Sequence, residues 1–138
     1  MNIPGQLVVF DLAFDSSGNL WLAGSSSSAQ GDEIEMIAAS DLSGSGVITP
    51  LASTTITSPA FTPAGESDCL GGIDFDHSGD LWVSVNSFSF GCVYGVVEFT
   101  PSQLTTGGSL TPSVTIGQNS TQTNLFISGP IRFGPTVK

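Results

Sequence analysis

An internal repeat constrains this 138-residue chain more than any other feature of its sequence. The pattern Phe-Asp-x-Ser-Gly-[Asn/Asp]-Leu-Trp-[Leu/Val] occurs at residues 14–22 and again at 75–83, an offset of 61. A third copy begins with Gly-Pro-Ile-Arg-Phe-Gly-Pro at residues 129–135. Self-similarity at a fixed period indicates a repeat architecture built from one supersecondary unit. Two shorter matches have an offset of 62, which places one extra residue in a loop: 40–42 with 102–104, and 49–50 with 111–112.

Each unit is predicted to form four short strands and no long helix. A tight turn separates the first strand, which ends at Phe14 or Phe75, from the second, which begins at Leu20 or Leu81. Its glycine lies where a positive φ is easiest. The connections are rich in Ser, Gly and Pro, and no stretch has a 3.6-residue apolar period. The remaining strands are predicted at residues 33–38 and 46–51 in the first unit and at 93–99 and 113–116 in the second.

This pattern predicts an all-β fold in which four-stranded antiparallel sheets, two per chain, form the blades of a β-propeller. The units are expected at residues 1–68 and 69–128. Residues 129–138 are expected to form the first strand of a further blade or a strand exchanged with another chain. Trp21 and Trp82 recur at one position of the second strand, where a large aromatic side chain fills the space between neighbouring blades. The alternative role for these indoles is a stacking platform for a sugar.

Three segments of the second unit resemble the NHL-type repeats of secreted bacterial β-propellers: residues 75–83, 96–104 (VVEFTPSQL) and 110–116 (LTPSVTI). The first unit keeps the turn and the Trp but departs from the family in its third and fourth strands. The resemblance implies the propeller fold and says little about function, because propellers host many activities. Such propellers have about six blades, whereas two blades do not close a ring. The chain is therefore expected to belong to a homotrimeric ring, a longer array or an open filament-like stack.

The charge balance excludes some classes of partner. Twelve acidic residues face two basic ones, Arg132 and Lys138, so the formal net charge is −10. Binding to nucleic acid or to an anionic membrane needs basic residues, and no segment has the roughly 18–20 apolar residues of a membrane span. Residues 1–9 lack the regions of a signal peptide.

Other features are typical of an extracellular protein. The chain has two cysteines, very little lysine, and a sequon that makes Asn119 a candidate glycan acceptor. The expected partners are a second copy of the chain, another extracellular protein or a glycan.

Aspartates cluster around the two tight turns: Asp11 and Asp15 in the first unit, and Asp74, Asp76 and Asp80 in the second. Oxygen ligands suit Ca²⁺, and the three carboxylates of the second unit are the candidate ligands. An aspartate that opens a turn also accepts hydrogen bonds from backbone amides two residues on. Because Asp15 and Asp76 recur at one place, the turn role is favoured. No cofactor other than this calcium ion enters the prediction.

The sequence contains no recognisable catalytic constellation, so a non-enzymatic protein is expected. His77 is the only histidine, and it lies in a turn where the first unit has Ser16. No Gly-x-Ser-x-Gly elbow accompanies it, and one His with two Cys falls short of a zinc site. Related propellers include lactonases and lyases. A metal-dependent enzyme that uses Asp74, Asp76 and His77 is therefore kept as the least favoured of three hypotheses about function.

The second unit carries two further candidate features. Cys69 precedes its first strand and Cys92 its third, and a disulfide bond between them is predicted, with two buried thiols as the alternative. Phe88 and Phe90 have no aromatic counterpart in the first unit, so they are the candidate ligand-binding residues of a carbohydrate-binding propeller. Their alternative role is local packing around Cys92. The leading hypothesis is a non-catalytic secreted module for protein interaction or self-assembly.

Overall fold

The computed structural model describes residues 7–26, 31–43, 54–61, 69–85, 95–117 and 130–134. The first unit contains β1 (Leu7–Phe14), β2 (Leu20–Ser26), β3 (Gly31–Ile37) and β4 (Thr54–Thr57), with a 3-10 helix at Ala39–Leu42. The second unit contains β5 (Leu70–Phe75), β6 (Leu81–Val85), β7 (Gly95–Phe99), β8 (Gly108–Ser109) and β9 (Val114–Gly117). A short helix, α1 (Pro101–Thr106), follows β7.

The strands form two sheets. Sheet 1 has the order β1-β2-β3-β4-β8, and sheet 2 has the order β5-β6-β7-β9. All neighbouring strands are antiparallel except β4 and β8, which pair in parallel. The prediction of a mostly β fold with two antiparallel-rich sheets is confirmed. Sheet 1 has five strands instead of four, because the two-residue strand β8 of the second unit extends it.

The two hairpin turns have the same geometry. Gly18 has φ 81° and Gly79 has φ 84°, so each turn places its glycine in the left-handed region that side chains disfavour. The Asp15 N–H donates to the Asn19 carbonyl at 3.1 Å, and the Asp76 N–H donates to the Asp80 carbonyl at 3.1 Å. Local sequence therefore determines this turn in both units.

The structure differs from the sequence prediction at three places. The fourth strand of the first unit is β4 at Thr54–Thr57, whereas the predicted strand at 46–51 lies outside the described residues. Helix α1 was not predicted, because a six-residue helix that buries only Leu104 is too short to show a 3.6-residue apolar period. Its start does carry a capping box, Thr100 with Gln103, and a proline in the first turn. Residues 130–134 form no regular strand.

The hydrophobic core lies between the two sheets. Strand pairing places Trp21 beside Ala13 and Met36, and Ile34 beside Ala23 and Ile56, so these side chains share the face of sheet 1 that meets sheet 2. Sheet 2 contributes a continuous apolar face in return: Ile73, Leu81, Val83, Val85, Val97 and Phe99, all of them buried. None of the helices in the described part of the chain is long and apolar enough to cross a membrane.

Candidate assembly surface

The contact between the sheets centres on Trp21 of β2. Its side chain is only 3% exposed. The indole meets the Phe75 ring of β5 edge to face, with ring centroids 5.8 Å apart and an interplanar angle of 65°. This is a favourable geometry for an aromatic pair, in which the positive edge of one ring meets the negative face of the other. Trp21 therefore packs between the two sheets, and its buried indole presents no open stacking platform.

A second contact of the same kind lies at the far side of sheet 2. The Trp82 indole meets the Phe133 ring, with centroids 6.1 Å apart and an interplanar angle of 54°. Phe133 holds the same place in the third copy of the repeat as Phe75 holds in the second. Each tryptophan thus packs against the phenylalanine that opens the next unit. Trp82 remains half-buried, in contrast to the buried Trp21.

An aspartate in each turn orients the tryptophan of its unit. The Trp21 Nε1–H donates to Asp15 Oδ2 at 3.0 Å, and the Trp82 Nε1–H donates to Asp76 Oδ2 at 3.1 Å. The Oδ1 atom of each aspartate accepts two backbone N–H groups of its turn: Ser17 and Asn19 in the first unit, and Ser78 and Asp80 in the second. These bonds explain why Phe-Asp-x-Ser-Gly and Trp recur at one spacing, because the aspartate joins them.

The same bonds lower the pKa of both turn aspartates. Burial by itself raises the pKa of Asp15, but the hydrogen bonds from Trp21 and Asn19 outweigh it. For Asp76 the balance is similar, with the indole of Trp82 and the turn amides favouring the ionised carboxylate over the effect of burial. Hydrogen bonds to the charged form favour that form. Both carboxylates are therefore anionic structural acceptors across the neutral range.

A segment of the third copy is tied back to the first two. The Arg132 guanidinium forms a bidentate pair with Asp11 of β1, with Nη1 3.0 Å from Oδ2 and Nη2 3.0 Å from Oδ1. Asp11 Oδ2 also accepts the Ile73 N–H of β5 at 3.0 Å. The Phe133 N–H donates to Asp74 Oδ2 at 2.7 Å. The first strands of the two units, β1 and β5, therefore lie beside each other, and residues 130–134 contact both of them.

Gly72 shows how closely the third copy approaches sheet 2. A Cβ atom at this position would lie 2.6 Å from the Cα of Pro130 and 2.8 Å from Asp11 Oδ2. Because a side chain at Gly72 would clash with both Pro130 and Asp11, the glycine permits this close approach. The packing of residues 130–134 is thus specific to this site on β5.

Among the described residues, several on the outer faces of the two sheets are more exposed than the residues on the inner faces. On sheet 1, Leu12 is 50% exposed and Phe14 is 57% exposed. These residues form the free face of sheet 1. On sheet 2, Val114 and Ile116 of β9 are exposed on the face that carries Trp82. Together with Trp82, which Phe133 partly covers, they form the surface that we call the free face of sheet 2.

A buried carboxylate that was not predicted from the sequence joins sheet 1 to the start of β5 in sheet 2. Asp32 of β3 is 1% exposed, and its Oδ2 accepts the backbone N–H groups of Cys69 and Leu70 at the start of β5. Buried carboxylates persist where hydrogen bonds compensate the lost hydration. The signal for Asp32 was slight, since one acidic residue at the start of an apolar strand is ordinarily exposed.

The carboxylates of the candidate calcium ligands Asp74 and Asp76 are hydrogen-bonded to different partners. Asp74 bonds to Phe75 and Phe133 N–H groups, whereas Asp76 bonds to the turn and to Trp82. The pKa of Asp80 is raised, by burial and then by the negative charges of Asp76 and Glu98. Among the described residues, no group of three or more His, Cys, Asp or Glu side chains could hold a metal ion. The predicted calcium site therefore has no geometric support in this part of the chain.

Several other predicted site residues lie outside the described residues: Phe88, Phe90, Cys92 and Asn119. Cys69 is disulfide-bonded. Its pairing with Cys92, the other cysteine of the chain, stays a prediction. His77 is exposed at the tip of the second turn, with no nucleophile placed beside it by the described contacts.

A cleft of about 490 Å³ opens beside the Trp21–Phe75 pair, between the two turns and α1. Its walls combine apolar groups, such as Met36 and Leu104, with hydroxyl groups, such as Ser16 and Thr105. Among the described residues, Asp15 is the only ionisable one that lines it, and both oxygens of that carboxylate already accept hydrogen bonds. The described lining therefore offers no free acid, base or nucleophile with activated geometry.

Comparison with protein-family models, with curated proteins and with solved structures gives no match to this chain.

Proposed function

We propose that this chain is a non-catalytic, secreted module of the β-propeller type, built from two blades, that acts by assembling with other copies of itself. Each blade corresponds to one of the two sheets. The assembly takes the form of a closed homotrimeric ring of six blades or an open stack.

The recurrence of the tryptophan contact carries this proposal. Trp21 meets Phe75, and Trp82 meets Phe133, one repeat further along. The same tryptophan–phenylalanine contact joins unit one to unit two and unit two to the start of unit three. A contact that recurs between successive repeats can also join further units. Repeat architectures bury their apolar faces only against neighbouring units, which gives the free faces of the two sheets a reason to be apolar.

The chemistry of the described residues supports a binding role over catalysis. The cleft beside Trp21 is lined by hydroxyl and apolar groups, and its one carboxylate is used by the turn. His77 lies in an exposed turn, and the described contacts place no nucleophile beside it. An enzyme needs an acid, base or nucleophile with a partner that tunes it.

Secretion is supported by the redox state of Cys69 and by the composition. Disulfide bonds persist in oxidising compartments. A net charge of −10 with two basic residues keeps the chain soluble and repels nucleic acid.

The test is the molar mass in solution, by sedimentation equilibrium and native mass spectrometry, across a wide range of protein concentration with and without Ca²⁺. One chain has a mass of 14.1 kDa. A species of three chains supports the closed ring, and larger species that grow with concentration support the open stack. A mass of one chain under every condition contradicts self-assembly.

A further inference from the structure

We propose that the free face of sheet 1, formed by Leu12 and Phe14 of β1, docks a second copy of this chain, which seats on it the free face of its sheet 2. This inference rests on the proposed function, since it names the surfaces through which the module assembles. The two surfaces differ, so each copy offers one of each.

The contact between the two sheets of one chain is the template. Sheet 2 receives the Trp21 side of sheet 1 on a face that includes Ile73 and Phe75. The repeat places Leu12 and Phe14 of sheet 1 at those same two positions. Ile73 is fully buried by the neighbouring sheet, whereas Leu12 and Phe14 are about half exposed. The free face of sheet 1 thus has the residues of a receiving face and no sheet against it in the described structure.

The free face of sheet 2 matches the inserting face of sheet 1. Trp82 takes the place of Trp21. Val96 corresponds to Ile34, and strand order places Ile116 of β9 where sheet 1 has Ile56 of β4. Ile56 is buried in the core, whereas Ile116 is 52% exposed. The same kinds of side chain are therefore ready to insert at a second interface.

Phe133 marks where the incoming phenylalanine would lie. Its ring packs on the Trp82 indole at a tilted angle of 54°, whereas Phe75 meets Trp21 edge to face at 65°, and Phe133 remains partly exposed. In the assembly, Phe14 of the second copy replaces Phe133 against Trp82. The exchange substitutes one phenyl–indole contact for another, gives up the bond from the Phe133 N–H to Asp74 Oδ2, and adds the burial of both free faces. Burial of apolar area is the driving force.

Acidic residues weaken this contact relative to the template. Glu35 lies on the side of sheet 1 that carries Leu12, where sheet 2 has the buried Val97. Glu98 lies on the side of sheet 2 that carries Trp82. Like charges that approach each other cost free energy, and salt screens that repulsion. The association is therefore expected to strengthen as ionic strength rises.

Two charge substitutions test the pairing of the faces. Phe14→Asp blocks the receiving face, and Ile116→Asp blocks the inserting face. Because both side chains are about half exposed, the fold should tolerate the changes. Each variant alone is expected to sediment as a single chain where the wild type assembles. An equimolar mixture is expected to form dimers and nothing larger, since only one intact pair of faces remains.

Two further variants serve as controls. Val8→Asp places the same charge on the same strand but on the opposite side of the sheet, at an exposed position, and should assemble as the wild type does. Phe133→Ala removes the residue that covers Trp82 and should lower the protein concentration at which assembly begins. Circular dichroism and thermal unfolding establish that every variant is folded.

The outcomes separate this inference from the proposed function. Assembly of Phe14→Asp at the wild-type concentration would overturn the docking face while leaving self-assembly standing. Growth of the mixture beyond two chains would overturn the pairing of the two faces. A wild type that stays a single chain at every concentration and ionic strength would contradict the proposed function itself.

Discussion

Leu12 in sheet 1 and Ile73 in sheet 2 hold the same place in the repeat, yet half of the Leu12 side chain is exposed while Ile73 is fully buried. Phe14 and Phe75 show the same contrast, since Phe75 packs on Trp21 and Phe14 is 57% exposed. The side chains are similar in size and apolar character. The presence of a neighbouring sheet, rather than the residue type, therefore determines burial at these positions.

The turns behave in the opposite way. Asp15 and Asp76 make the same bonds to their turns and to the indole that follows six residues later, although one turn belongs to each sheet. These contacts join residues close in sequence, so each unit forms them without help from its neighbour. The units thus share their local structure and differ in their surroundings.

The largest difference between the two sheets is expected when the apolar side chains at these equivalent positions are each replaced by alanine. Ile73→Ala removes buried methyl groups from the core and should lower the free energy of unfolding by about 2–5 kcal/mol. Leu12→Ala, at the equivalent exposed position, should lower it by less than about 0.5 kcal/mol. Denaturant unfolding at a concentration where the chain is single measures both. Equal losses would show that the free face of sheet 1 is covered.

A smaller effect is expected from the turn aspartates. Asp15→Ala leaves the buried indole N–H of Trp21 without its acceptor and should lower the free energy of unfolding by about 2 kcal/mol. Asp76→Ala should cost about 1 kcal/mol, because water can reach the half-exposed Trp82. Ser16→Ala, in the same exposed turn, is the control and should be close to neutral. The same unfolding experiment decides the order of the three.

The effect of Asp15→Ala should also depend on pH. The pKa of Asp15 is lowered in the folded chain, so its contribution to stability is present above the unfolded pKa of an aspartate and is lost as pH falls through the folded value. The difference between wild type and Asp15→Ala should therefore be constant near neutral pH and shrink in acid, below the ordinary aspartate pKa. A difference that grows in acid would contradict this role.

The smallest effect is expected at Glu35, where sheet 2 has Val97. Burial, and then the charge of Glu33, raises the pKa of Glu35, so folding disfavours its ionised form. Its stabilising effect is complete below the unfolded pKa of a glutamate and is lost as pH rises through the folded value. Glu35→Gln should therefore raise the melting temperature by about 1 °C at neutral pH, with no gain in acid. Scanning calorimetry at both pH values measures this; an unchanged or lower melting temperature at neutral pH would contradict it.

Local patterns were enough to predict much of the fold and part of the candidate surface. The internal repeat, the positive-φ glycines and the recurring tryptophans indicated two sheets and an aromatic packing residue between them. Helix α1 and the position of β4 were missed, since short elements carry little periodic signal. The bonds of Asp11 to Arg132 and of Asp32 to Cys69 were also missed, because they join residues far apart in sequence.

The sequence by itself determined the repeating unit: a tight turn closed by an aspartate, the strands on either side, and a tryptophan that the same aspartate orients. These features depend on contacts within a few residues, which the repeat preserves. Only the tertiary structure decided which apolar faces meet, that Phe133 covers Trp82, and that Leu12 and Phe14 stay exposed. The burial of a sheet face depends on which surface packs against it, and that contact joins residues far apart in the sequence, so local sequence patterns do not predict it.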